Sequence, residues 1–208
     1  LFNADTGKTL LTQNADQPRY VASLTKMMTA LLLLESGKDL NGEVTVPTDL
    51  TQEFKDIQNA NGTTMGLRIG ETVRRIDLLN ALLITSANDA ASVIAWDVGG
   101  SLNAFIQQMN ARAAELGCTS ATFTCAHGLY DYGNVASAED MAKIAAACAA
   151  NETFAQVAGS TTYTLGQTNF HSEQRTISSS NPLMDASGAY YKDSVQRGSS
   201  GAYCPAGC

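Results

Sequence analysis

Two short stretches hold side chains whose types and spacing suit acyl transfer. In Ser23-Leu24-Thr25-Lys26 a hydroxyl and an amine stand at i and i+3, on one face at the start of a helix. A serine hydroxyl is a poor nucleophile until a base takes its proton, and a lysine serves as that base once desolvation lowers its pKa. The apolar run from Met27 to Leu34 supplies that setting. Backbone N–H groups at a helix N-terminus also favour the oxyanion that forms when a carbonyl is attacked. Ser86-Ala87-Asn88 offers a second hydroxyl, and an amide that both donates and accepts. A hydroxyl near a Ser/Lys pair, such as Ser86, can relay a proton to a leaving amine, and an amide such as Asn88 can hold Lys26 and the substrate's peptide group. Taken singly, the first pattern reads as a capping serine beside a solvated lysine, and the second as helix-capping residues. Their combination carries the argument.

The remaining reactive side chains carry weaker signals. His127 lies in a His-Gly-Leu turn, and a Ser/Lys pair already supplies a base, so a structural role is expected for it. His171 sits in a polar stretch with nothing to mark it. None of the five cysteines has C-x-x-C spacing, so neither a metal nor a cofactor is expected. Cys118 and Cys125 flank a short segment and could bridge in an oxidising compartment, as could Cys204 and Cys208 with each other. Cys148 shares an apparent helix face with Met141, Ile144 and Ala145 and reads as a small core residue.

The elements that must position these groups are legible in outline. Residues 2–11 read as a hairpin around Asp5-Thr6-Gly7. The run from Ser23 to Glu35 is apolar on nearly every side beyond Lys26 and ends at Gly37, which predicts a buried, central helix. Residues 42–70 read as a mostly polar insertion lobe with β-like pieces at 44–46 and 65–67. Helices are predicted over 76–83, 89–97, 101–116 and 141–150, the last opened by a Ser137 cap with Glu139 and Asp140 in its first turn. Strand character returns at 161–165.

Composition fits one folded unit. The chain has 208 residues, 44% hydrophobic and 16% charged, enough for one substantial core, and residues 1–208 are read as a single domain cut short at both ends. A net charge of −7 without a Lys/Arg cluster speaks against nucleic acid as a partner. The apolar run Met27–Leu34 falls well short of the roughly 20 residues of a membrane span. The first residues have neither the basic nor the apolar region of a signal peptide, and the chain is expected to begin after one.

These segments, in this order, resemble the low-molecular-mass penicillin-binding proteins that act as D-alanyl-D-alanine carboxypeptidases. Asn14-Ala15-Asp16-Gln17-Pro18 leading into residues 21–30 is similar to that family's first motif with its flanks, and residues 83–91 to the second. Further similarity lies in His127-Gly128-Leu129-Tyr130-Asp131, in 137–145 and in Ser180-Asn181-Pro182-Leu183-Met184. The third motif, a Lys-Thr-Gly that binds the substrate carboxylate and contributes an oxyanion N–H, has no match. Its expected place holds Val195-Gln196-Arg197-Gly198-Ser199-Ser200, with Arg197-Gly198 as a degenerate counterpart, before Gly201-Ala202-Tyr203-Cys204.

The resemblance implies an α+β fold of the β-lactamase/transpeptidase type, an antiparallel sheet packed against a helical cluster. It implies Ser23 as the acylated nucleophile, Lys26 as base, and Ser86 and Asn88 as the rest of the proton-transfer network, with His127 outside the chemistry. The implied substrates are peptidoglycan stem peptides ending in D-Ala-D-Ala, with β-lactam antibiotics as mimics, in the extracytoplasmic cell envelope of a bacterium. Two alternatives remain. A class A β-lactamase would need a Glu-x-x-Leu-Asn loop, which does not occur after Ser86. A non-catalytic wall-binding domain would account for the unmatched third motif.

Overall fold

The computed structural model describes residues 1–129 and 131–195. Tyr130, the Arg197-Gly198 and Gly201–Cys204 segments, and Cys208 lie outside the described residues. The helices are α1 (Thr25–Glu35), α2 (Thr51–Asn59), α3 (Arg75–Ile84), α4 (Asn88–Gly99), α5 (Leu102–Glu115), α6 (Ala138–Ala149) and α7 (Glu152–Ala158). Among the described residues the strands form separate antiparallel pairs: β1 (Phe2–Asn3) with β2 (Lys8–Thr9), β3 (Arg19–Tyr20) with β6 (Val135–Ala136), β4 (Glu43–Thr45) with β5 (Thr72–Arg74), and β7 (Thr162–Leu165) with β8 (Arg175–Ser178). The fold class is α+β, with the helices forming the centre.

Helix α1 is the hub, packing against α3, α4, α5, α6 and α7. A helix covered on several sides must be apolar nearly all round, which is why its sequence shows so little of a polar face. Met28, Ala30 and Leu33 are fully buried. The helix ends at Glu35 with Ser36 as its C-cap, and Gly37 follows with φ 72°, a left-handed conformation that glycine adopts cheaply. Side-chain caps fix the later helices: Ser101, Ser137 and Asn151 accept from the N–H groups of Ala104, Asp140 and Phe154.

Three expectations change. Ser23 does not open α1 itself; a 3-10 turn, Ala22–Leu24, precedes it. Residues 42–70 are not a separate lobe, because Val44, Val46, Leu50, Met65 and Leu67 all enter the main core. Among the described residues, residues 65–67 pair with no strand, since their N–H groups donate instead to the Asp89 carboxylate. Among the described residues, no helix is long and apolar enough to cross a membrane.

Candidate active site

The 3-10 turn that carries Ser23 is clamped from two directions. Just before it, Arg19 and Tyr20 pair with Ala136 and Val135. Ala22 is held at φ 46°, a left-handed conformation costing an L-residue roughly 1–2 kcal/mol. Gly128, at φ +79°, presses directly on the Ala22 carbonyl, where a Cβ would collide with backbone. Behind the turn, Asn134 donates through Nδ2 to Thr25 Oγ1 at 2.8 Å, and Thr29 Oγ1 donates to the Ala126 carbonyl at 2.6 Å. Ala126, Gly128, Asn134 and the strand Val135–Ala136 therefore fix the Ser23 turn against the first two turns of α1.

Lys26 lies one helical step beyond Ser23, only 2% exposed. Its Nζ donates to Ser23 Oγ at 3.1 Å, to Asn88 Oδ1 at 2.8 Å and to the His127 carbonyl at 2.5 Å. Burial disfavours the ammonium and lowers the pKa to about 7, although Cys125 and Asp89 pull the other way. The three acceptors differ in kind. The Asn88 and His127 oxygens can only accept, so a neutral amine keeps its two N–H bonds on them and turns its lone pair to Ser23. The pair's polarity then reverses, and the Ser23 hydroxyl donates to Lys26.

Asn88 is the first residue of α4 and is fixed at both ends of its amide. Nδ2 donates to the Thr63 carbonyl at 2.9 Å, as does the Asn88 backbone N–H at 2.8 Å, leaving Oδ1 for Lys26. The stretch that supplies Thr63 is held by Asp89, whose carboxylate accepts from Met65, Gly66 and Leu67. Burial raises the Asp89 pKa against the pull of those N–H groups.

The structure thus joins Ser23, Lys26 and Asn88 in one chain of hydrogen bonds. Ser86 stands two residues before Asn88 in the break between α3 and α4, half-buried and left-handed at φ 58°. No hydrogen bond links its hydroxyl to the other three among the described residues. His127 keeps its ring away from Ser23: Nε2 lies 3.0 Å from Glu53 Oε1, and Nδ1 accepts from the Leu129 N–H. Its backbone carbonyl on Lys26, like the Asp89 brace, was not foreseen from sequence. Asp89 carried a signal in its place directly after Asn88; a main-chain acceptor carries none.

The Cys118–Cys125 bridge that the spacing allows does not form, and both thiols are free. The Cys118 thiol faces the Asp140 carbonyl at 3.6 Å, whereas Cys125 Sγ accepts from the Gly128 N–H at 3.2 Å. Cys148 is fully buried in the core, as its helix face implies. Among the described residues, no three His, Cys, Asp or Glu side chains converge as metal ligands.

A family model described as D-alanyl-D-alanine carboxypeptidase matches residues 1–193. The chain belongs to that family. The D-alanyl-D-alanine carboxypeptidase DacF of Bacillus subtilis is 33% identical over 145 residues, 70% of this chain and 36% of its own length. DacC of Escherichia coli is 36% identical over 148 residues, 68% of this chain and 36% of its own. The chain therefore spans a little over a third of the length of these relatives. Among solved structures, the Streptomyces K15 DD-transpeptidase superposes with a TM-score of 0.81 at 29% identity, covering 89% of this chain and 74% of that one. The D-alanyl-D-alanine carboxypeptidase of Mycobacterium tuberculosis gives a TM-score of 0.78 at 28% identity, with 89% and 67% coverage.

Proposed function

We propose that the protein is a serine D-alanyl-D-alanine carboxypeptidase that trims the terminal D-alanine from peptidoglycan stem peptides in the bacterial cell envelope. The observation that carries this reading is the Lys26 amine, 2% exposed and lowered to about 7, within hydrogen-bond reach of Ser23. Ser23 Oγ attacks the penultimate D-Ala carbonyl while its proton passes to Lys26. The proton then reaches the leaving D-alanine amine through Ser86, while Asn88 keeps the Lys26 amine oriented. Water hydrolyses the acyl-enzyme and frees Ser23. The Ser23 backbone N–H, at the start of the helical segment, is the natural first donor to the oxyanion. A β-lactam follows the same first step, because its carbonyl needs only the nucleophile, the base and the oxyanion donor.

The test is release of D-alanine from an acyl-L-Lys-D-Ala-D-Ala peptide. The wild-type protein should release it, Ser23→Ala should fall to background, and Lys26→Met should fall by about 10²–10⁴-fold, the usual weight of a positioned base. A folded wild-type protein that releases none would reject the carboxypeptidase reading and favour a wall-binding role, the role that the sequence departure at 195–200 supports.

A further inference from the structure

Behind His127 lies a second group of reactive side chains that the acyl-transfer reading does not use. Glu53 on α2 accepts from Ser92 Oγ at 2.8 Å and lies 3.0 Å from His127 Nε2. Cys125, two residues before His127, has its sulfur on the Gly128 N–H at 3.2 Å. Glu53, Cys125 and His127 line one cavity of about 370 Å³, with Ile57, Ile106 and Leu129 among its apolar walls. Such a space admits a small, largely apolar molecule to a half-buried thiol.

We propose that Cys125 is a second nucleophilic site, a thiol that takes small soft electrophiles entering this cavity, and that its modification is transmitted to Ser23 and Lys26 through residues 127–128. The chemistry resembles other activated cysteines, in which an imidazole and backbone N–H groups stabilise the thiolate. Burial opposes the Cys125 thiolate, but His127 and the N–H groups of Gly128 and His127 outweigh it and lower its pKa. The other described thiols go the opposite way: burial pushes Cys118 up to about 11 and Cys148 up to about 12. Burial opposes a charge on His127, but Cys125 and Glu53 outweigh it and raise its pKa to about 9.

Transmission follows from the backbone. The His127 carbonyl holds Lys26, and Gly128, whose N–H sits on the Cys125 sulfur, presses on the Ala22 carbonyl beside Ser23. A group added to the sulfur displaces the Gly128 N–H and shifts both contacts. Misplacement of catalytic groups by about 1 Å can cost around 10²-fold in rate.

Iodoacetamide is the probe. The sulfur forms a bond to its methylene carbon as the C–I bond breaks, iodide leaves with the bonding pair, and the thiol proton goes to solvent. Peptide-resolved mass spectrometry at neutral pH should show Cys125 labelled at least about ten-fold faster than Cys118 or Cys148, with half-maximal rate below the ordinary thiol pKa of about 8.5. Glu53→Gln should slow Cys125 labelling and raise that midpoint. Stoichiometric labelling should slow acylation of Ser23 by penicillin at least about ten-fold, whereas Cys125→Ser, treated identically, should keep its rate. Labelling no faster than at Cys118, or a midpoint at or above the ordinary value, overturns the nucleophilic site. Unchanged acylation after full labelling overturns the transmission. The acylation arm rests on the Ser23 reading, but the labelling arm does not, so the two fail separately.

Discussion

At the scale of single residues, the site centres on an amine buried among three acceptors. Lys26 is lowered to about 7 from an ordinary 10.5, chiefly by desolvation. Between these two values the unfolded chain holds a proton that the folded protein lacks. Stability therefore rises with pH across that window, by about 1.4 kcal/mol per unit, and below about 7 the folded state carries the full cost of a buried ammonium. Urea denaturation of wild type and Lys26→Met between pH 7 and 9 measures this directly. The difference between them should move in favour of wild type as pH rises; parallel curves would show that Lys26 is not perturbed. The sequence made the Ser23–Lys26 spacing and the Asn88 amide plain, because both are side chains at helical positions. It could not show the His127 carbonyl, since any residue there brings the same acceptor and only the fold aims it.

At the scale of elements, residues 124–129 and the loop at 62–67 do much of the positioning, and neither is a helix or strand. Gly128 is the sharpest test. Its left-handed φ and its contact with the Ala22 carbonyl leave no room for a Cβ. Gly128→Ala should cost roughly 1–2 kcal/mol from the backbone conformation alone, more from the collision, and should lower Ser23 acylation more than a remote mutation of equal cost in stability. Asp89→Ala removes the acceptor of three loop N–H groups and should destabilise the protein by about 2–4 kcal/mol, with faster amide exchange at Met65, Gly66 and Leu67. Residues 65–67 look like a strand in sequence because their apolar side chains do enter the core, and only the Asp89 carboxylate shows where their N–H groups go. Helix α2 is hidden in the sequence for the opposite reason. Its sequence, Thr51–Asn59, is polar, and Ile57 is its one buried residue, so packing and the Glu53 contacts with Ser92 and His127 hold it in place.

At the scale of the molecule, one apolar cluster runs from Val21 to Leu165 with α1 at its centre, so the site is built into the core. The strongly apolar helices α1, α3 and α4 were legible because burial on several sides leaves a long hydrophobic run. The short α7 and the strand β5 were not, since a few residues hold too little periodicity to stand out from turns. Leu79→Ala, at a fully buried position on α3, should cost about 2–5 kcal/mol in urea denaturation, whereas a cost under about 1 kcal/mol would mean that the core relaxes freely around it.

The central claim is that Ser23 is a nucleophile activated by a neutral Lys26. A labelled penicillin, followed by intact mass and peptide mapping across pH, tests it most directly. One covalent adduct per chain is expected, located on Ser23 and lost in Ser23→Ala, with an acylation rate that climbs through about pH 7 as Lys26 gives up its proton. An adduct that persists in Ser23→Ala, or a Ser23 adduct that forms at the same rate well below and well above pH 7, would contradict it.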